Sequence, residues 1–102
     1  MSEQKRLEFS DQLDDKSELV DKEIVIKSVG DEQEGDMGGT YAIAEIECDG
    51  KHKVISLGSV MLKQFRAWKD VAARDGFDPL PAKAKITRPK GKRYYSFLYI
   101  EK

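Results

Sequence analysis

At 102 residues, the chain has room for one domain with a core large enough to fold without staples. The single Cys48 excludes an intramolecular disulfide and a cysteine-based zinc site, and favours a reducing compartment. No stretch reads as a secretory h-region or as the roughly 18 apolar residues of a membrane span, so a cytoplasmic protein is expected.

A formal net charge of −1 conceals a strong asymmetry: residues 1–50 carry 15 acids against 5 bases, and residues 51–102 carry 4 acids against 13 bases. Such a division points to an anionic partner with an acidic counterweight, or to two halves that face and neutralise each other. Residues 1–16 are polar and acidic, with Leu7, Phe9 and Leu13 as scattered apolar positions. They are expected to form a partly mobile extension, dispensable for folding and able to compete with phosphate for the basic half. The domain proper is expected to span 17–102, with the chain pinned near Leu19 and Val20.

The β-branched run Ile24 to Val29, bounded by Gly30, predicts a first strand beginning at Glu23. A glycine-rich acidic loop follows, from Gly30 to Gly39. Its carboxylates Asp31, Glu32, Glu34 and Asp36 lack the alternating spacing of a calcium loop, so no metal is expected. Thr40 to Cys48 and Lys51 to Leu57 read as two strands joined by Asp49-Gly50, a strong tight-hairpin signal. A two-residue turn sets Cys48 opposite Lys51, Ile46 opposite Lys53, Ala44 opposite Ile55 and Ala42 opposite Leu57, a mainly apolar face that belongs to the core. The other face carries Tyr41, Ile43, Glu45 and Glu47 beside His52, Val54 and Ser56, and is a candidate docking surface.

With Ser59 as N-cap, Met61, Leu62, Phe65, Trp68 and Ala72 recur at helical spacing up to Gly76. This amphipathic helix is expected to pack as a lid on one end of the sheet, with Lys63, Arg66, Lys69 and Arg74 solvated. Phe77 to Pro81 cannot continue a helix. Ala82 to Arg88 and Arg93 to Glu101 are the fourth and fifth strands, joined at Pro89-Lys90-Gly91-Lys92. In the fifth, Tyr95, Phe97 and Tyr99 fall on one side and Tyr94, Leu98 and Ile100 on the other; the aliphatic pair favours burying the second set.

From Lys83 to Tyr99 the chain holds six bases, no acid and four aromatics. Basic groups neutralise phosphates and exposed rings stack on unpaired bases, so this stretch suggests a surface for single-stranded nucleic acid. A polar hairpin tip leading into a core strand gives the same pattern.

The order strand, strand, strand, helix, strand, strand is that of the five-stranded OB barrel, with one helix capping the barrel end. The segments S-E-L-V-D-K-E-I-V-I-K-S-V, Y-A-I-A-E-I-E-C-D-G-K-H-K-V-I-S-L-G-S, V-M-L-K-Q-F and L-P-A-K-A-K-I-T-R-P-K-G-K-R-Y-Y-S-F resemble small OB-fold proteins of phages and mobile elements regarded as single-stranded DNA-binding. The resemblance covers roughly residues 17–100 as strand texture. It implies a mainly β domain that binds single-stranded nucleic acid, DNA rather than RNA, largely without sequence specificity. The implied site joins the second and third strands, at Tyr41, Ile43, His52 and Val54, to Lys83, Lys85, Arg88, Lys90, Lys92 and Arg93 of the basic region, with Tyr95 and Phe97 as further stacking rings. The acidic loop after the first strand departs from that pattern.

G-x-S-x-G, a P-loop and H-E-x-x-H are all absent, and His52 has no nucleophile placed beside it by local spacing, so neither catalysis nor a cofactor is expected. The alternative function is a protein-interaction module of the same fold, using its acidic half or its fifth-strand face; a homodimer is a further possible assembly.

Overall fold

The structure, a computed structural model, describes residues 13–35 and 38–102. Leu7, Phe9 and Asp36 lie outside the described residues, as does most of the acidic N-terminal extension. The fold is mainly β with one α-helix. Its strands are β1 (Glu23–Val29), β2 (Gln33–Glu34), β3 (Thr40–Cys48), β4 (Lys51–Leu57), β5 (Ala82–Thr87) and β6 (Ser96–Glu101); helix α1 is Ser59–Asp75, and a 3-10 turn covers Lys16–Leu19.

The β3–β4 hairpin has the expected register, from Cys48 opposite Lys51 to Ala42 opposite Leu57. Asp49 and Gly50 both take positive φ, at 54° and 77°, which matches the twist of a two-residue hairpin turn. Because side chains alternate, that register buries Ala42, Ala44, Ile46, Cys48, Ile55 and Leu57 together. Ile24 and Ile26 of β1, Ala84 and Ile86 of β5, Phe97 of β6 and Met61 and Leu62 of α1 complete the same core.

All strand pairs are antiparallel. β1 lies between β3 and β5, β4 pairs with β3 on its far side, and β6 pairs with β5. Two features differ from the expected five-stranded barrel, closed or nearly closed. First, the acidic loop contains a sixth strand, β2, whose Gln33 and Glu34 pair with Tyr41 and Thr40 and prolong the line of β1 along β3. Second, the sheet is not closed: among the described residues β4 and β6 do not pair, and their free edges are satisfied in other ways. On β4, the Asp14 N–H donates to the Val54 carbonyl at 2.7 Å and the Val54 N–H donates to the Asp14 carboxylate at 2.8 Å. On β6, the Gln64 side chain of α1 accepts from the Phe97 N–H at 2.7 Å and donates to the Phe97 carbonyl at 3.0 Å. One carboxylate and one amide thus do for two exposed edges what a neighbouring strand would do.

The chain is pinned where expected. Leu19 is buried, Val20 bridges Ile86, and the Asp21 N–H donates to the Ile86 carbonyl at 2.7 Å. Asp14 and Lys16, from the segment expected to be an extension, both hold β4.

Helix α1 has the expected extent, but its N-cap is Gly58 and not Ser59, and no side chain caps it. At the other end Gly76 adopts φ 78°, a left-handed conformation that glycine enters without penalty. Met61, Leu62, Phe65 and Ala72 are buried, whereas Trp68 is half-buried with its indole N–H donating to the Pro79 carbonyl at 2.8 Å. The expected inward face of the last strand is corrected. A bulge between Lys85 and Ile86 sets Phe97 opposite Ile86 and Ile100 opposite Ala84, so both face inward and Leu98 is left as the extra residue. Leu98 is 62% exposed and Tyr94 42% exposed.

Candidate nucleic-acid interface

The basic connection between β5 and β6 is built on a tight turn. The Lys92 N–H donates to the Pro89 carbonyl at 3.0 Å, and Gly91 sits at φ 78°, which a side chain would strain. The Arg88 guanidinium folds back, its Nε donating to the Lys92 carbonyl at 3.3 Å. Glycine at the third position permits the turn, and Lys90 and Lys92 stand exposed at the tip with Arg88 and Arg93 at its shoulders. Among the described residues none of these four cations makes an ion pair.

Elsewhere the two oppositely charged halves of the sequence neutralise each other. Glu32 of the β1–β2 connection clamps Arg66 of α1 through two hydrogen bonds, one of 2.8 Å to Nε, and these hold its carboxyl below the ordinary glutamate range. Lys53 lies 3.9 Å from Asp14, and β1 sets Glu23 beside Lys85 of β5. Lys83 has Glu101 as its cross-strand neighbour. Lys83 and Lys85 each have one acid as a cross-strand neighbour, whereas the loop gathers four cations on one short turn with no acid in it.

Tyr41, Ile43, His52 and Val54 do share the outer face of β3 and β4, where Ile43 is opposite Ser56 and Glu45 opposite Val54. That face is laced with carboxylates. Glu45 accepts from the Ser28 hydroxyl at 2.7 Å and lies 3.7 Å from His52, while Glu47 lies 3.3 Å from Lys27. Farther round, the Tyr99 hydroxyl donates to Glu23 at 2.7 Å, which raises the phenol pKa by favouring its protonated form. A phosphate crossing the middle of this surface meets Glu45 and Glu47 before it meets a free cation.

The aromatics divide differently from their sequence grouping. Phe97 is 4% exposed and belongs to the core, which corrects its expected place among the stacking rings. Tyr95 is half-buried against the core, with the Lys16 ammonium 5.3 Å and the Arg88 guanidinium 5.6 Å from its ring centroid. Lys16 also donates to the Ser56 carbonyl at 2.7 Å and to its hydroxyl at 3.2 Å; burial pushes its amine pKa down. It thereby bridges the edge of β4 to the entrance of β6. Tyr41 is half-buried, its hydroxyl donating to Gln33 at 3.3 Å. Among the described residues Tyr94 is the most exposed ring, and sequence reasoning missed it because strict alternation placed it inside. Lys16 was missed as well, since nothing local links it to a loop so far along the chain.

Among the described residues no cluster of His, Cys, Asp or Glu is arranged to hold a metal ion, and no helix is long and apolar enough to cross a membrane. Comparison with models of protein families, with curated proteins and with solved structures finds no match.

Proposed function

We propose that this chain binds single-stranded nucleic acid, largely without sequence specificity, on an OB-type barrel of the kind carried by phages and mobile elements. The observation that carries this reading is the loop bearing Arg88, Lys90, Lys92 and Arg93, four cations without an acid partner among the described residues, beside the exposed ring of Tyr94. Cations on a short turn gain affinity by releasing counterions from a phosphate chain, and an adjacent exposed ring can stack on a base of any identity. The strand order supports the barrel: β1 sits between β3 and β5, each of those leads into a hairpin partner, and α1 comes between the two hairpins. That is a five-stranded Greek-key order opened between its third and fifth strands, with β2 as an addition. DNA is favoured over RNA on the resemblance in strand texture alone. The buried free thiol of Cys48 supports a reducing, cytoplasmic setting.

The test is a fluorescence-anisotropy titration with single-stranded DNA, duplex DNA and RNA at two salt concentrations. Lys90→Glu with Lys92→Glu is expected to weaken single-strand binding and to reduce the salt slope by about one unit for each phosphate that is no longer neutralised. Unchanged affinity would reduce the loop to a solvated turn and remove the basis of the reading.

A second reading is a protein-interaction module. It is favoured by the shallow apolar groove between α1 and β6, where Trp68, Val71 and Ile100 flank Leu98 at 62% exposure. Oligonucleotide binding that is absent, or indifferent to salt, selects it over the first.

A further inference from the structure

We propose that the bound strand leaves the outer sheet face and crosses the start of α1, through two clefts that share Gly58 and Ser59 as a common wall and carry Tyr94 and Tyr41 at opposite sides. This rests on the nucleic-acid reading above and assigns that reading a path and two stacking residues. The first cleft, of about 340 Å³, sets Lys16, Arg93, Tyr94 and Tyr95 against Gly58 and Ser59. The second, of about 320 Å³, sets Gly38, Gly39 and Tyr41 against the same two residues. Together they lead from the basic loop to Gly38, Gly39 and Tyr41 at the start of β3.

Three observations favour this route over the sheet face. The described residues lining the two clefts include no acid, whereas the sheet face carries Glu45 and Glu47 among its candidate contacts. A phosphate chain is repelled by carboxylates, and the described walls of both clefts hold none. Each cleft also has its own ring, Tyr94 at 42% exposure in one and half-buried Tyr41 in the other, so stacking is available on both sides of the shared wall.

The third observation is Gly58 itself. Its φ of −72° and ψ of −177° are open to any residue, and a Cβ added there meets nothing within 4 Å. The fold does not require glycine here, and a serine or aspartate at an N-cap would hold the helix better. The missing side chain keeps the wall between the two clefts low. A polymer passing from one cleft to the other needs that clearance.

The experiment measures binding of a fluorescein-labelled oligothymidylate to the full chain and to three variants, Gly58→Asp, Gly58→Asn and Tyr94→Ala, with the Lys90→Glu, Lys92→Glu double variant alongside. Thermal melts are expected to show Gly58→Asp and Gly58→Asn folding at least as stably as the parent, because both residues are favoured N-caps. Gly58→Asp is nevertheless expected to bind about tenfold more weakly, Gly58→Asn less severely, and Tyr94→Ala about tenfold more weakly with little change in melting temperature. Parental affinity in Gly58→Asp or in Tyr94→Ala, while the double lysine variant is impaired, overturns the path and leaves the binding reading standing. Parental affinity in all of them, the double lysine variant included, or no binding by the parent chain, overturns the reading and the path together.

Discussion

Glu32 and Arg66 show how far one residue pair can shape the charge of this molecule. The carboxylate comes from the connection between β1 and β2 and the guanidinium from the solvated side of α1, and their forked hydrogen bonds tie loop to helix. Because the pairing lowers the Glu32 pKa, its contribution to stability is present above the ordinary glutamate value and is lost as pH falls through the lowered one. A parallel series of melts of the parent and Glu32→Gln is therefore expected to show the parent ahead at neutral pH, with the gap closing on acidification below about pH 4. A gap that stays constant through that range would assign the pair no part in the acid response. Both groups are exposed, so the gap is expected to be small and to narrow further at high salt. The same pairing removes Arg66 from the cations available to a phosphate, which sharpens the contrast with the β5–β6 loop.

At the scale of elements, strand β6 is defined as much by what covers its edge as by its own residues. Gln64 presents an amide in place of a strand and satisfies both the N–H and the carbonyl of Phe97. Gln64→Leu would keep the volume and leave both backbone groups without that partner, at a cost of about 1–3 kcal/mol for each group that water cannot reach. The expected outcome is a lower melting temperature together with faster amide exchange at Phe97. Normal protection at Phe97 in this variant would mean that the helix contact, and not the amide, guards the edge. The bulge at Leu98 belongs to the same scale. It turns Phe97 and Ile100 inward together and leaves Leu98 at the surface.

Across the whole molecule, the unclosed sheet is held together by parts distant in sequence. Asp14 lies on β4, Lys16 spans from β4 to Tyr95, and Gln64 holds β6, so the seam between the first and last hairpins is filled by side chains. Asp14→Ala removes the acceptor for the Val54 N–H and the anion 3.9 Å from Lys53. A loss of about 1 kcal/mol is expected, read as a melting-temperature fall of roughly 4–8 °C and faster exchange at Val54. If neither moves, residues 14–16 rest on the sheet without supporting it, as a dispensable extension would.

Local physics was enough for much of this. The Asp49-Gly50 turn, with side-chain alternation, determined the β3–β4 register and its buried face; the apolar spacing after Gly58 determined α1; and the glycine of the basic connection determined an exposed tip for Lys90 and Lys92. These depend on residues within a few positions of one another. Tertiary contact alone decided the rest. The bulge that sets Phe97 in the core together with Ile100 answers to packing against β5, and no residue in the strand announces it. The opening of the sheet depends on Asp14 and Gln64 reaching edges 40 and 33 residues away. That Gly58 stands between Tyr41 and Tyr94 follows only from the fold, which brings three distant parts of the chain together there. Sequence spacing carries periodicity and turn chemistry, but the satisfaction of an exposed edge is settled by whichever donor or acceptor the folded chain brings there.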